Sequence, residues 1–279
     1  MKKTLLIAGT LALSCFATAQ TITSTNIVNV GDSIFMATDI APSISLGTNA
    51  AGNNWIFGSL IPNSKDTTVF NTPSTGTGGS NFATATLTFL QEINTTAIQG
   101  IASTYLKNGS SSLELQGLSN GTITAKHQNP ETVITYPSSF GTTFTDTAMV
   151  IATVAGSAVG QPIADSVKLK SVTYIFSDFN ASGSLTTSFG VFNCIRQKLT
   201  RVTIDTTWGK GALTGGNYTR LTATRDTSYS HQYYSDAANA KFPLVTYDLN
   251  KNGTLSGDVR WMTGYSAGSG VGINEFNFK

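Results

Sequence analysis

The sequence predicts an all-β protein, built as an antiparallel β-sandwich or as open barrel-like sheets, with little helix. Three observations lead there. Apolar and polar side chains alternate with a period of two along most of the chain, which puts one strand face on a core and the other in water. Turn signals of the Asn-Gly and Gly-Gly kind recur at short spacing between the alternating runs. Charged residues make up only 11% of the chain, while Ser, Thr, Asn and Gly abound, a composition that suits hydroxyl-rich exposed strand faces.

In chain order, Lys2 and Lys3 form a short positive segment. An apolar run from Leu5 to Ala17 follows, and Ala17-Thr18-Ala19 presents small residues where a signal peptidase reads. The run is too short to span a bilayer as a helix, so residues 1–19 read as a signal peptide cleaved before Gln20. A lipoprotein signal with Cys15 as the new N-terminus is the alternative, although Ala12-Leu13-Ser14 departs from a lipobox. Residues 71–81, rich in Gly, Ser and Thr, read as a flexible surface loop. Alternation is clear at Ala83–Phe89, Ser111–Gln116, Thr122–Lys126 and Val167–Tyr174, with turns expected at Asn108-Gly109, Asn120-Gly121, Asn180 to Gly183, Gly215-Gly216 and Asn252-Gly253. A boundary between two sub-domains is allowed near 130–140. No amphipathic helix is evident; Ser235–Ala240 could make one turn. The β-rich body spans 20–265, and from Ser266 the Ser-Ala-Gly-Ser-Gly run reads as a flexible tail reaching Lys279.

The charge balance excludes some partners. The chain has 17 basic and 15 acidic side chains, and Lys2 and Lys3 leave with the leader, so the mature protein is balanced at net zero. Nucleic acid and anionic lipid surfaces are poor partners for such a chain. No second long apolar stretch exists, so no transmembrane helix is expected. Cleavage leaves one cysteine, Cys194, in the strand-like run Val191–Ile195. It cannot form an internal disulfide and reads as a small buried hydrophobe.

Several motifs resemble catalytic signatures without their context. Gly31-Asp32-Ser33-Ile34 has the first block of a GDSL hydrolase, but neither His127 nor His231 has an Asp three residues before it. Gly117-Leu118-Ser119-Asn120-Gly121 and Gly264-Tyr265-Ser266-Ala267-Gly268 match Gly-x-Ser-x-Gly, yet the first lies between two alternating strands and the second precedes Gly-rich chain with no later His. No catalytic residue is assigned. A metal site is suggested at Asp248, Asn250, Asn252 and Asp258, where oxygen ligands alternate as in a calcium loop. Its last carboxylate stands one position early, and a β-hairpin explains the same residues. Calcium is the only cofactor the sequence raises. Tyr229, His231 and Tyr233 share one strand face, and with Trp208, which beside Gly209-Lys210-Gly211 is expected at a loop, they are the candidate contacts for a ligand.

Short stretches also resemble secreted proteins of the Bacteroidetes that leave by type IX secretion. They are Asp39–Pro42 with Ala51–Leu60, Gly183–Arg196, Lys241–Val245 and Gly272–Glu275. Ser188 stands where the second stretch usually has Pro, and the Tyr-Pro-Asn-Pro start of a sorting domain is absent. The resemblance implies export and a β-rich fold. Triplets of Asp, then Ser or Thr, then a small or aliphatic residue, similar to the O-glycosylation signal of that phylum, occur at Ser33, Thr67, Thr147, Ser166 and Thr206, so these are candidate modification sites.

Together these features point to an exported extracellular or cell-surface binding protein, with a polysaccharide or a cell-surface protein as partner. A secreted carbohydrate-active hydrolase is the competing class, and an outer-membrane β-barrel is a third.

Overall fold

The alternating runs become strands for the most part, although residues 83–86 and 122–123 lie in turns before their strands begin. A computed structural model of the chain describes residues 20–94, 99–161, 163–212 and 215–268; the leader and the tail beyond 268 lie outside it. Its strands are β1 (Thr21–Ile22), β2 (Ser33–Asp39), β3 (Asn53–Ile56), β4 (Ser64–Val69), β5 (Leu87–Asn94), β6 (Gln99–Asn108), β7 (Ser112–Ser119), β8 (Thr124–Thr135), β9 (Ser138–Ser139), β10 (Thr143–Ala155), β11 (Ser166–Thr187), β12 (Gly190–Lys210), β13 (Thr219–Tyr234), β14 (Val245–Leu249) and β15 (Leu255–Ser266). Among the described residues the helical segments are four single 3-10 turns, and Ser235–Ala240 holds one hydrogen-bonded turn, Ala240 N to Ala237 O.

One sheet carries nearly everything. Its strands run in the order β4-β2-β15-β14-β13-β12-β11-β10-β8-β7-β6-β5. Neighbours are antiparallel, and β3 alone docks parallel, against the far end of β11. Just past β4, Asn71 exchanges two backbone hydrogen bonds with Thr88 of β5, at 2.8 and 2.9 Å, so the first and last strands of the order meet. The sheet therefore bends round into a nearly closed barrel, the barrel-like form of the predicted all-β fold, and hides most of the edge that an open sheet would expose. β1 and β9 form a separate pair. The sheet runs straight through 130–140, because β8 pairs with β7 on one side and β10 on the other.

The core is aromatic and aliphatic. Trp55, Phe57, Phe70, Phe179, Tyr233 and Trp261 are all essentially inaccessible. Each such burial is favourable by roughly 2 kcal/mol or more. Cys194 is part of this core, and burial pushes its thiol well above the usual range, as the sequence reading of a buried hydrophobe requires. β3 reaches its place because Gly183 has no side chain: a Cβ there would lie 2.0 Å from the Asn53 carbonyl oxygen.

Three expectations need correction. The 71–81 segment is not a free loop. Tyr105 Oη donates to Thr77 O at 2.7 Å, Thr77 N donates to Ser103 Oγ at 2.9 Å, and Phe82 stacks on Tyr105 with centroids 4.0 Å apart. Its glycines allow close packing on β6 as much as they confer freedom. The body also does not end at residue 265: β15 runs through Ser266, and Gly268 N donates to the buried Asp32 carboxylate at 2.9 Å. Trp208, finally, sits inside β12 and not in a loop.

Candidate functional site

The 22 residues of β11 would span about 70 Å, longer than the barrel wall requires. β11, β12 and β13 therefore pass through two settings. At one end they are covered by β3 and residues 42–60. At the other they continue, with β10, as a sheet whose one face stays open.

Three predicted contact residues lie toward the covered end. His231 and Tyr233 are buried, and Tyr229 is half-buried against the core. His231 Nδ1 is 3.1 Å from Tyr247 Oη, which is 2.8 Å from Tyr233 Oη. Trp55 meets Tyr233 edge-on at 4.9 Å. Burial, with the Arg196 and Lys198 charges beside it, pushes His231 down to about 3, so its ring is neutral at ordinary pH. His231 and Tyr233 are thus core residues and offer no ligand a surface. Strand alternation placed them correctly on one face, but it could not show that β3 and its flanking loop cover that face.

The same end holds a buried guanidinium that sequence reasoning left unassigned. Arg196 Nη1 donates to Leu46 O at 2.6 Å, Nη2 to Thr48 O at 3.2 Å and Asn49 Oδ1 at 2.7 Å, and Nε to Asn180 Oδ1 at 3.1 Å. Its partners here are neutral oxygens, and the Trp55 ring lies 5.8 Å from its carbon. It fastens the 46–49 segment to β12. Two of the stretches that carry the resemblance meet here: Asn53–Ile56 pairs with Gly183–Thr186, and Arg196, at the end of the second stretch, lies 5.8 Å from the Trp55 ring of the first. They share a packing role.

The open end is different. Cross-strand register places five rows on one face of β10, β11, β12 and β13. They begin with Thr153, Lys168, Trp208 and Arg220, and end with Thr145, Phe176, Thr200 and Tyr229. Tyr174 and Phe176 are 42% and 51% exposed, and Thr219 to Ser228 is exposed throughout. Lys168 Nζ sits 5.6 Å from the centre of the Trp208 ring. A shallow groove of about 470 Å³ runs between Lys170, Tyr174, Ile204, Trp208 and Arg220, and a second of about 400 Å³ adjoins it at Tyr174 and Phe176. Aromatic rings, hydroxyls and cations on a rigid sheet can stack on and hydrogen-bond to a flat polar ligand. Of the predicted contacts, Trp208 alone belongs to this groove. Tyr174 and Phe176 were missed because period-two alternation marks a face without saying whether another layer covers it.

The Asp248 segment is a hairpin between β14 and β15. Asn250 Nδ2 donates to Thr254 Oγ1 and Leu255 O, and Asn252 Oδ1 accepts from Thr254. Burial, and then the neighbouring Asp258 charge, raise Asp248 above the ordinary carboxylate range. Among the described residues no group of three or more His, Cys, Asp or Glu side chains is placed to hold a metal. The buried carboxylates serve the backbone: Asp32 accepts from Asn29 N and Gly268 N, and Asp39 from Ala41 N and Ile61 N. Ser119 of the first Gly-x-Ser-x-Gly match bonds Thr124 across a hairpin. Of the candidate modification sites, Thr67 and Thr147 are exposed; Ser33, Ser166 and Thr206 are half-buried, and Ser166 Oγ is 3.1 Å from Tyr218 Oη.

No family model matches the sequence, and no curated protein is significantly similar to it. Two solved structures resemble the fold at low overlap. One is a lipoprotein candidate from Parabacteroides distasonis ATCC 8503, at 12% identity and a TM-score of 0.40 over 88% of this chain and 99% of that one. The other is an exported-protein candidate with a YmcC-like fold from Bacteroides fragilis NCTC 9343, at 8% identity and a TM-score of 0.30 over 89% and 99%. Overlap this low says nothing about a ligand. No helix among the described residues is long and apolar enough to cross a membrane.

Proposed function

We propose that the chain is an exported protein that works outside the cell as a binding module, and that its ligand is a polysaccharide held on the open face of β10–β13. The observation that carries this is the pair of grooves: Trp208, Tyr174 and Phe176 stand among threonine hydroxyls on a sheet face that none of the described residues covers. Exposed aromatics spaced along a rigid sheet give sugar rings a stacking platform, and hydroxyl neighbours complete it. The leader supports export, and the resemblance to type IX cargo supports that route.

The test is a melting-temperature shift of residues 20–279 against a polysaccharide panel, with a Trp208→Ala/Tyr174→Ala variant beside it. A ligand that binds the native face stabilises the folded state by mass action. A shift of several degrees with one glycan, lost in the variant, is expected. A flat panel would overturn the polysaccharide reading. A mature chain that needs detergent to remain in solution would move the assignment to an outer-membrane barrel.

A further inference from the structure

Resting on that reading, we infer that the polysaccharide is anionic, its carboxylate or sulfate groups being met by four cations on the open face, of which Lys170 and Arg220 line the groove. The evidence is the distribution of charge. The mature chain is balanced overall, yet the five rows on the open face are not. Lys168 and Arg220 lie in the first row, Lys170 in the second and Arg225 in the third, and no row holds a carboxylate. The three ion pairs among the described residues, Lys107–Glu114, Arg201–Glu131 and Arg260–Asp66, involve none of these cations. Asp146, at the adjoining groove, belongs to the opposite face and accepts Thr132 N at 2.7 Å. The first carboxylate on the open face, Asp178, lies beyond Phe176 and stands opposite Lys198.

Like charges on adjacent rows repel one another unless something negative lies across them. A pleated strand sets Lys168 and Lys170 about 7 Å apart on one side, so a linear polyanion laid along β11 meets both. Trp208, held by Lys168, is the stacking surface beside them. A membrane surface fits less well, because threonines at 145, 147, 153, 200, 206 and 227 break up the apolar residues of the same face. A single-stranded nucleic acid carries the same sign of charge, so direct binding of each polymer separates the two.

The experiment compares polymers that differ only in charge: polygalacturonate against its fully methyl-esterified form, and dextran sulfate against dextran. Affinities of residues 20–279 are measured at about 50 and 200 mM salt. At least one anionic polymer is expected to bind about tenfold or more tightly than its neutral twin, and to lose tens of fold in affinity at the higher salt. A Lys168→Gln/Lys170→Gln/Arg220→Gln variant with unchanged circular dichroism should erase the difference between twins. Trp208→Ala should instead weaken binding to both members of a pair. Equal binding to both twins, or binding to the neutral one only, would overturn the anionic assignment and leave the carbohydrate reading standing. Binding to anionic phospholipid vesicles or single-stranded DNA, with none to any glycan, would overturn both.

Discussion

Along the single strand β13, residues 219–228 are exposed while His231, Tyr233 and Tyr234 are buried. The two halves share backbone geometry, alternation and neighbours on β12. What differs is the next layer: β14 pairs only with Tyr229–Tyr233, and β3 with residues 42–60 covers the same end. The sealed half therefore collects aromatics, an arginine with neutral partners and a neutral histidine, and the open half collects cations and solvent-facing rings. Similar residue types stabilise the fold where they are covered and are free for a partner where they are not.

Substitutions can break this contrast from the sealed side. The largest loss is expected for Arg196→Met, which removes four hydrogen bonds at once, leaves Asn180 Oδ1 without its donor, and leaves Leu46 O, Thr48 O and Asn49 Oδ1 with only the weaker support of Trp55, Asn53 and Asn180. Unfolding free energy from urea titration should fall by about 3 kcal/mol or more. Arg196→Lys should recover little, because one ammonium cannot reproduce the guanidinium fork. Gly183→Ala comes next. Its methyl would collide with the Asn53 carbonyl and push β3 off β11, at about 2 kcal/mol in the same titration.

His231 sharpens the comparison through pH. Its folded-state value, about 3, lies below its ordinary 6.5, so between those values the unfolded chain binds the proton and the folded one does not. Stability should fall as pH drops from about 6.5 toward 3, by up to about 1.4 kcal/mol per unit from this group. His231→Gln should flatten that part of the curve in urea titrations run across the range. The smallest effect is expected in the open half: Trp208→Ala should change stability by about 1 kcal/mol or less while weakening glycan binding. A large loss of stability there would mean that the rows are also a packing face.

Much of the fold was legible because alternation and turn chemistry are local. Ser119–Thr124, the 250–254 turn and the buried position of Cys194 follow from a few neighbouring residues. The placement of β3 was not legible. It is parallel, only four residues long, and pairs with a strand far along the chain, so no local period announces it. That one strand decides which half of β13 is sealed, and hence why Tyr229, His231 and Tyr233 looked like contacts while Tyr174 and Phe176 passed unnoticed. The 71–81 segment misled for a related reason: its composition is that of a loop, and Tyr105 and Ser103, which tether it, come later in sequence.

The ring order has a consequence for how the molecule is made. β2, near the N-terminus, is hydrogen-bonded on one side to β4 and on the other to β15, with Asp39 opposite Val259. The seam cannot be completed until the last strand exists, however early the first strands are synthesised. Such dependence on sequence-distant pairing makes folding slow relative to local collapse. Until Leu255–Ser266 arrives, β2 lacks its neighbour on one side, and its unpaired backbone groups stay open to wrong partners.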